Sequence, residues 1–288
     1  VSDKILKIGK SIIQHGKEND RIYLMKLHKS DLPSIINKLD EISKKICYTK
    51  IFAKVPSYAK KNFVNNEYIV EAHIPNFYKG KEDAFFMAKY FCKDRKTKKN
   101  KQKIDKVLKT SIEKDNCEEN FNLNKEFNFR KATLEDAADM SKLYNKVFET
   151  YPFPIEDPNY IKETMNENVE YFGIWHKGNI ISLASCEMDL KNLNVEMTDF
   201  ATLPEYRGNK FALFLLNKME QSMKKRGMKT VYTIARSISY AMNITFSKLG
   251  YNYTGTLTQN TNISGDLETM NVWYKSLVEE DNEMEYVI

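Results

Sequence analysis

The sequence predicts an α/β (α+β) protein of two units, a smaller one over residues 1–110 and a larger one over 127–277. Three observations predict it. The chain has 288 residues, too many for one ordinary domain and about right for two. From residue 127 the apolar spacing switches between strand and helix in the order β-α-α-β-β-β-α-β-α-β-β. Between the units, 111–126 is a polar stretch without periodicity, read as a linker.

In the first unit, Arg21-Ile-Tyr-Leu-Met-Lys26, Lys50-Ile-Phe-Ala-Lys-Val55 and Tyr68-Ile-Val-Glu-Ala72 read as strands between helical segments. Ser30 is the expected N-cap of a helix with Pro33 in its first turn. Leu32, Ile35, Ile36, Leu39 and Ile42 follow on one helical face. Pro56 and the segment 58–63 mark a second strand-to-helix transition.

In the second unit, Phe127-Asn-Phe-Arg-Lys-Ala132 is a strand, and Thr133-Leu-Glu-Asp136 resembles a capping box. Val169-Glu-Tyr-Phe-Gly-Ile-Trp175 and Ile180-Ile-Ser-Leu-Ala-Ser185 flank a Lys-Gly-Asn turn, which reads as a hairpin. Asn194-Val-Glu-Met-Thr-Asp-Phe-Ala201 is the fourth strand. A helix follows over 209–225, and then a buried strand over 230–235. The next helix stops at Gly250, and strands near 251–257 and 268–274 complete the unit. Residues 278–288 form an acidic tail.

Hydrophobic residues make up 42% and charged residues 29%, the balance of a globular chain. No apolar run approaches the roughly 20 residues a membrane span needs, and Val1-Ser-Asp-Lys-Ile-Leu-Lys7 lacks the apolar centre of a secretory signal. The four cysteines are scattered and the histidines dispersed, so neither a disulfide framework nor a metal site is expected. A cytoplasmic location is the default. The net charge of +6 is concentrated in the lysine run over 93–106. Clustered lysines gain affinity for nucleic acid by releasing counterions, but this run has one Arg and no interleaved aromatics. It reads as a solvated helix face or connector, so no nucleic-acid partner is expected.

The second unit is similar to the GNAT superfamily. Leu203-Pro-Glu-Tyr-Arg-Gly-Asn-Lys-Phe-Ala212 resembles its [RQ]-x-x-G-x-[GA] signature, between a strand and an amphipathic helix. The resemblance implies a mixed, mostly antiparallel central sheet flanked by helices, with acetyl-CoA as cosubstrate. Successive backbone N–H groups at a helix N-terminus suit a pyrophosphate. The implied cofactor residues are Phe200, Ala201, Thr202, Arg207, Gly208, Asn209, Lys210, Phe211, Ala212 and Phe246, with an oxyanion donor in the backbone near 200–202. Lys210 stands where the signature has glycine. A left-handed backbone there costs on the order of 1 kcal/mol, although the ammonium suits a phosphate. Thr245-Phe-Ser-Lys-Leu-Gly-Tyr251 is similar to the family's Y-x-K-x-G-[FY] segment, in which the Tyr protonates the leaving thiolate. Phe246 occupies that position here, and nearby Tyr240 is the replacement candidate.

Over most of the chain the sequence resembles the β-lysine N-acetyltransferases. The blocks that carry this are Glu196-Met-Thr-Asp-Phe-Ala-Thr-Leu-Pro-Glu-Tyr-Arg-Gly208, Ala235-Arg-Ser-Ile-Ser-Tyr-Ala-Met-Asn243, Asn260-Thr-Asn-Ile-Ser-Gly265, Met270-Asn-Val-Trp-Tyr274 and, in the first half, Tyr78, Gly80 and Glu82-Asp-Ala-Phe-Phe-Met87. This family acetylates the ε-amine of β-lysine, giving a zwitterionic compatible solute. Acetylation of another small amine or lysine-type substrate, or acyl-CoA sensing without catalysis, is the alternative. A lysine-type amine is neutral in only about one molecule in a thousand at pH 7, so a carboxylate base is needed. Glu196 and Asp199 are the candidates, on opposite faces of the strand unless a bulge intervenes. Arg236 is the candidate carboxylate clamp, and Asn243 and Asn262 are candidate polar contacts. Cys186, Trp175 and Trp273 read as core, and His176 as exposed. The N-terminal unit is expected to be a degenerate GNAT-like half closing one wall of the pocket. Homodimerisation is left open.

Overall fold

The computed structural model describes residues 3–114, 122–149, 151–263 and 265–278. The predicted linker therefore lies partly, and the acidic tail almost wholly, outside the described residues. The strands are β1 (Lys4–Ile8), β2 (Ser11–Gly16), β3 (Arg21–Lys26), β4 (Lys50–Pro56), β5 (Ile69–Tyr78), β6 (Glu82–Tyr90), β7 (Phe127–Lys131), β8 (Val169–His176), β9 (Asn179–Asp189), β10 (Asn194–Thr202), β11 (Thr230–Arg236), β12 (Asn252–Ile263) and β13 (Asp266–Ser276). The helices are α1 (Ser34–Ile46), α2 (Lys60–Val64), α3 (Lys101–Ile112), α4 (Ala137–Val147), α5 (Pro158–Glu167), α6 (Phe211–Lys225) and α7 (Tyr240–Lys248).

All the described strands join one sheet in the order β1-β2-β3-β4-β6-β5-β12-β13-β11-β10-β9-β8-β7. From β7 onward the succession of strands and helices is the predicted one. The pairing is antiparallel except at β10·β11 and β3·β4, so the sheet is mixed and mostly antiparallel. The order β1-β2-β3-β4-β6-β5 repeats β8-β9-β10-β11-β13-β12, with the parallel pair in the same place and a helix (α1, α6) crossing between its strands. Three N-terminal strands, β1, β2 and β6, were not read from the sequence. β1 is almost wholly exposed and β6 almost continuously apolar, so neither shows clean alternation.

The halves meet at β5·β12, where Gly255 pairs with Ala72. A Cβ on Gly255 would lie 2.1 Å from the Glu71 carbonyl oxygen, so the seam closes only over glycine. Buried cations reinforce it. Lys50 Nζ donates to the Thr258 carbonyl at 2.8 Å and pairs with Glu71 at 2.9 Å. Arg95 Nε donates to the Gln259 carbonyl at 2.8 Å, and Arg21 donates to that of Asn260.

One large core lies between α4–α7 and β7–β11, and a second lies under α1 against β2–β4 and β6. α1 starts at Ser34 with Pro33 at the cap position, a turn later than the expected Ser30 cap. The Ser30 hydroxyl is engaged with His28 Nδ1 at 2.7 Å in a separate 3-10 turn. The Thr133 capping box forms as read. The lysine run divides: Arg95 is buried in the seam, while the lysines of α3 are exposed. α3 packs on α7, with the Ser247 hydroxyl donating to the Ser111 carbonyl at 2.7 Å.

Candidate active site

β10 and β11 pair at only three positions, Asn194 with Thr230, Val195 with Val231 and Glu196 with Tyr232. Beyond Glu196 they part, while β10 stays on β9 and β11 on β13. Because the two strands are parallel, α6 and α7 both begin at the carboxyl ends of the parting pair. Open α/β sheets bind ligands at that place.

β10 bulges between Thr198 and Ala201, with Asp199 at φ 54°. The extra residue lets Asp199 turn to the face that carries Glu196, which strict alternation would forbid. Its carboxylate accepts from the Ser185 hydroxyl at 2.6 Å and from the Tyr151 hydroxyl. In the register, Glu196 lies opposite Glu187 of β9, and Thr198 opposite Ser185. One sheet face therefore gathers Glu187, Glu196 and Asp199.

Glu187 and Glu196 border a cavity of about 820 Å³, with Thr198 and Ile234 on the two sides of the gap and Tyr23, Lys54 and Tyr78 on the far wall; Asp199 is buried and is not among the lining residues. Burial pushes the Glu187 carboxyl well above the usual range, and the charges of Asp199 and Glu196 push it further. Glu196 is raised by burial, against the pull of Lys54 and of a hydrogen bond from Tyr232. Asp199 is raised by burial, against its bonds from Ser185 and Tyr151. Raised acids beside a cleft are the form a proton acceptor takes near neutral pH.

The signature turn stands at the carboxyl end of β10, with Arg207, Gly208, Asn209 and Lys210 all exposed. Gly208 has φ 89° and Lys210 φ 58°, so lysine does occupy the left-handed backbone foreseen for that position. Lys210 makes no side-chain cap on α6. Arg207 Nε reaches the Thr202 carbonyl at 3.4 Å, and Asn209 donates to that of Tyr206 at 2.9 Å. An exposed basic turn on a helix N-terminus suits the pyrophosphate of coenzyme A. Ala201 and Phe211 are buried, whereas Phe200, Thr202 and Ala212 are partly open.

Several candidates fall elsewhere. Arg236 is a bidentate partner of Glu268, through Nε at 2.7 Å and through Nη2, and is not among the cavity-lining residues. Asn243 is fully buried. It donates to the carbonyls of Arg236 and Ser239 at 2.9 and 2.7 Å, and accepts from Asn271 and the Trp273 indole, both at 2.9 Å. All four of its hydrogen-bonding positions are spent inside the fold. Asn262 donates to the Glu18 carbonyl at 2.9 Å and receives the Gly265 N–H at 3.2 Å, which is turn chemistry. Tyr240 is exposed at the start of α7, and Phe246 is buried against Phe200, their ring centroids 5.7 Å apart. A buried phenyl ring has no proton to give. His176, read as exposed, is half-buried with Nδ1 2.9 Å from the Tyr206 hydroxyl. Cys186 is buried beside Met197, its thiol pushed well up by burial.

Sequence reasoning did not find Glu187, Tyr23, Lys54, Tyr151, Ser185 or Tyr232. A signal existed for the far wall. Arg21, Tyr23 and Met25 alternate on one strand, and Lys50, Phe52 and Lys54 on the other, giving each a face of cations and aromatics instead of plain core.

Comparison with known proteins agrees with this architecture. The acetyltransferase (GNAT) family model matches residues 137–251. A β-lysine N6-acetyltransferase of Methanococcus maripaludis is 47% identical over 95% of this chain and 98% of its own length. One from Methanosarcina mazei is 40% identical over 70% of this chain and 74% of its own. The N-acetyltransferase YodP of Bacillus subtilis is 32% identical over 93% of this chain and 96% of its own.

Proposed function

Because the chain belongs to the β-lysine N6-acetyltransferase family of GNAT acetyltransferases, we propose that it moves acetyl from acetyl-CoA to the ε-amine of β-lysine. The product is N6-acetyl-β-lysine. The observation that carries this reading beyond family membership is the facing pair Glu187 and Glu196 at the mouth of the β10–β11 gap. Like charges directly opposite on adjacent strands repel, and a ligand with two ammonium groups relieves both at once. β-Lysine is such a ligand, its amines joined by four carbons.

Acetyl-CoA supplies the activated acyl group as a thioester. The signature turn and the N-terminus of α6 hold its phosphates, with Arg207 and Lys210 adding positive charge. Glu196 is the last β10 residue paired to β11, so its carboxylate stands where the gap opens. It takes a proton from the ε-ammonium, directly or through water. The freed nitrogen then bonds to the thioester carbon, the C–S bond breaks, the nitrogen sheds its second proton to water to leave the neutral amide, and coenzyme A departs as thiolate and takes a proton from solvent. Backbone N–H groups just past the bulge, over 200–202, face the developing oxyanion. Glu187 holds the β-ammonium. Asp199, tied to Ser185 and Tyr151, fixes the bulge and adds negative potential. The buried thiol of Cys186 takes no part, so transfer is a single displacement. Free amino acid and acetyl-CoA meet in the cytoplasm, where we place the reaction.

Thiol release from acetyl-CoA, followed in parallel with β-lysine, α-lysine and a lysine peptide, tests the reading. A clear preference for β-lysine is expected. Preference for either of the others would overturn the substrate assignment.

A further inference from the structure

The wall facing the carboxylates is built by the N-terminal half. β3 and β4 run parallel with Tyr23 beside Phe52. Alternation sends Ile22, Leu24, Ile51 and Ala53 into the core under α1, and sends Arg21, Tyr23, Phe52 and Lys54 to the cavity face. Lys54 Nζ lies 5.5 Å from the centroid of the Tyr23 ring and 5.8 Å from that of Tyr232. It reaches the Tyr232 hydroxyl at 3.4 Å.

The cations of this half differ in how they are matched. Lys50 is paired with Glu71 at 2.9 Å and Arg95 with Asp20 at 3.1 Å. Lys54 and Arg21 have no carboxylate within ion-pair distance among the described residues. Arg21 spends Nη1 on the Asn260 carbonyl and Thr261, and its buried Nε has no partner. Arg21 stacks over Tyr23 and Phe52, 5.4 and 5.8 Å from the ring centroids. The cavity thus sets Lys54 and Arg21 on one wall against Glu187 and Glu196 on the other. Burial works against the Lys54 ammonium, while Tyr23, Glu196 and Glu187 hold its pKa above the ordinary value and so keep it charged. The buried Nε of Arg21 is left without a partner, which is costly unless something completes it, and an anion from a ligand between the two cations would do so.

We propose that Lys54, with Arg21 behind it, receives the carboxylate of the amino-acid substrate, so that the N-terminal half selects amino acids over simple diamines. This rests on the reading above in that the amine acceptor enters this cavity. It gives the N-terminal half a specificity role, and it moves the carboxylate receptor from Arg236, which Glu268 already neutralises, to the opposite wall. In β-lysine the carboxylate and the β-ammonium are one methylene apart. That spacing fits the neighbourhood of Lys54 with Glu187 and Glu196, both of which act on its charge.

The test compares each acid with its amide: β-lysine with β-lysine amide, and α-lysine with α-lysine amide. The wild type and the Lys54→Met, Lys54→Gln and Lys54→Arg variants are measured on all four, with acetyl-CoA binding as the check on folding. The wild type should favour acid over amide. Lys54→Met and Lys54→Gln should raise KM for the acid roughly 10- to 100-fold, the worth of a hydrogen bond to a charged group, and leave KM for the amide within a few-fold, while any change in kcat through the charge of Glu196 falls on acid and amide alike. Lys54→Arg should keep the preference for the acid. Equal use of acid and amide by the wild type would overturn the proposal, as would an equal rise in KM on both in the variants. A wild type that prefers α-lysine, yet loses its acid preference in Lys54→Met, would sink the β-lysine assignment and leave the receptor standing.

Discussion

Glu187 of β9 and Glu196 of β10 occupy directly opposed positions on one face of the sheet, where β10 begins to part from β11. Two carboxylates so placed disfavour each other's ionisation and destabilise the pair of strands that carries them. Lys54 across the cavity offsets part of this. The arrangement costs stability in the free protein and becomes favourable with a dication bound, so the two residues are expected to separate under mutation.

Glu196→Gln keeps the shape and the Tyr232 contact while removing the proton acceptor. We expect kcat to fall by about 10²-fold or more, with acetyl-CoA binding unchanged by calorimetry. Unchanged turnover would transfer the base to Asp199 or to solvent.

Glu187→Gln relieves the repulsion without touching the proposed base. Its melting temperature should rise, by the equivalent of about 0.5–1 kcal/mol, while KM for β-lysine increases and kcat changes little. A fall in kcat at constant KM would contradict the division of labour between the two acids.

Lys210 sits at φ 58°, where a side chain costs on the order of 1 kcal/mol. Lys210→Gly should therefore stabilise the fold by a similar amount and weaken acetyl-CoA binding by roughly 3- to 10-fold, the share of one exposed charge. Thermal melts and titration with acetyl-CoA read the two effects separately. Tighter cofactor binding in the variant would mean that the ammonium contributes nothing to the phosphates.

Asn243→Ala should cost about 3 kcal/mol by denaturant titration, because the carbonyls of Arg236 and Ser239 and the donors of Asn271 and Trp273 all lose their partner. KM for β-lysine should stay near the wild-type value in whatever fraction folds. A raised KM with unaltered stability would return Asn243 to the substrate.

The seam carries a pH signature. Burial lowers the pKa of Lys50 to about 8, against the opposing pull of Glu71. An unfolded lysine holds its proton up to about 10.4. Between these values the unfolded state binds more protons, so stability rises with pH over that window. The expected gain is on the order of 2 kcal/mol, read as a higher denaturant midpoint at pH 10 than at pH 8. Lys50→Met should flatten the slope, since Glu71 keeps its bonds from the Tyr90 hydroxyl and the Thr258 N–H.

The sequence by itself determined the second half of the fold and the location of the cofactor turn. Both are written locally: the apolar runs of β8 and β9, alternation in β10, the Thr133–Asp136 box, the Lys177–Gly178 hairpin turn and the Arg207–Lys210 turn before α6 each depend on residues close along the chain. It also brought Glu196 and Asp199 forward as acids, because they lie on one strand. Only the tertiary structure decided the acceptor site. The bulge that brings Asp199 to the face of Glu196 is a matter of register against β9. The far wall comes from β3 and β4, which are distant in sequence from β9 and β10 and reach the same cavity only because β5 meets β12 at Gly255. Arg236 is the converse case. Its chemistry suited a clamp, but β11 pairs with β13 so that Glu268 lies within its reach. A charged side chain announces its type in the sequence, but its partner is chosen by long-range pairing that no local pattern encodes.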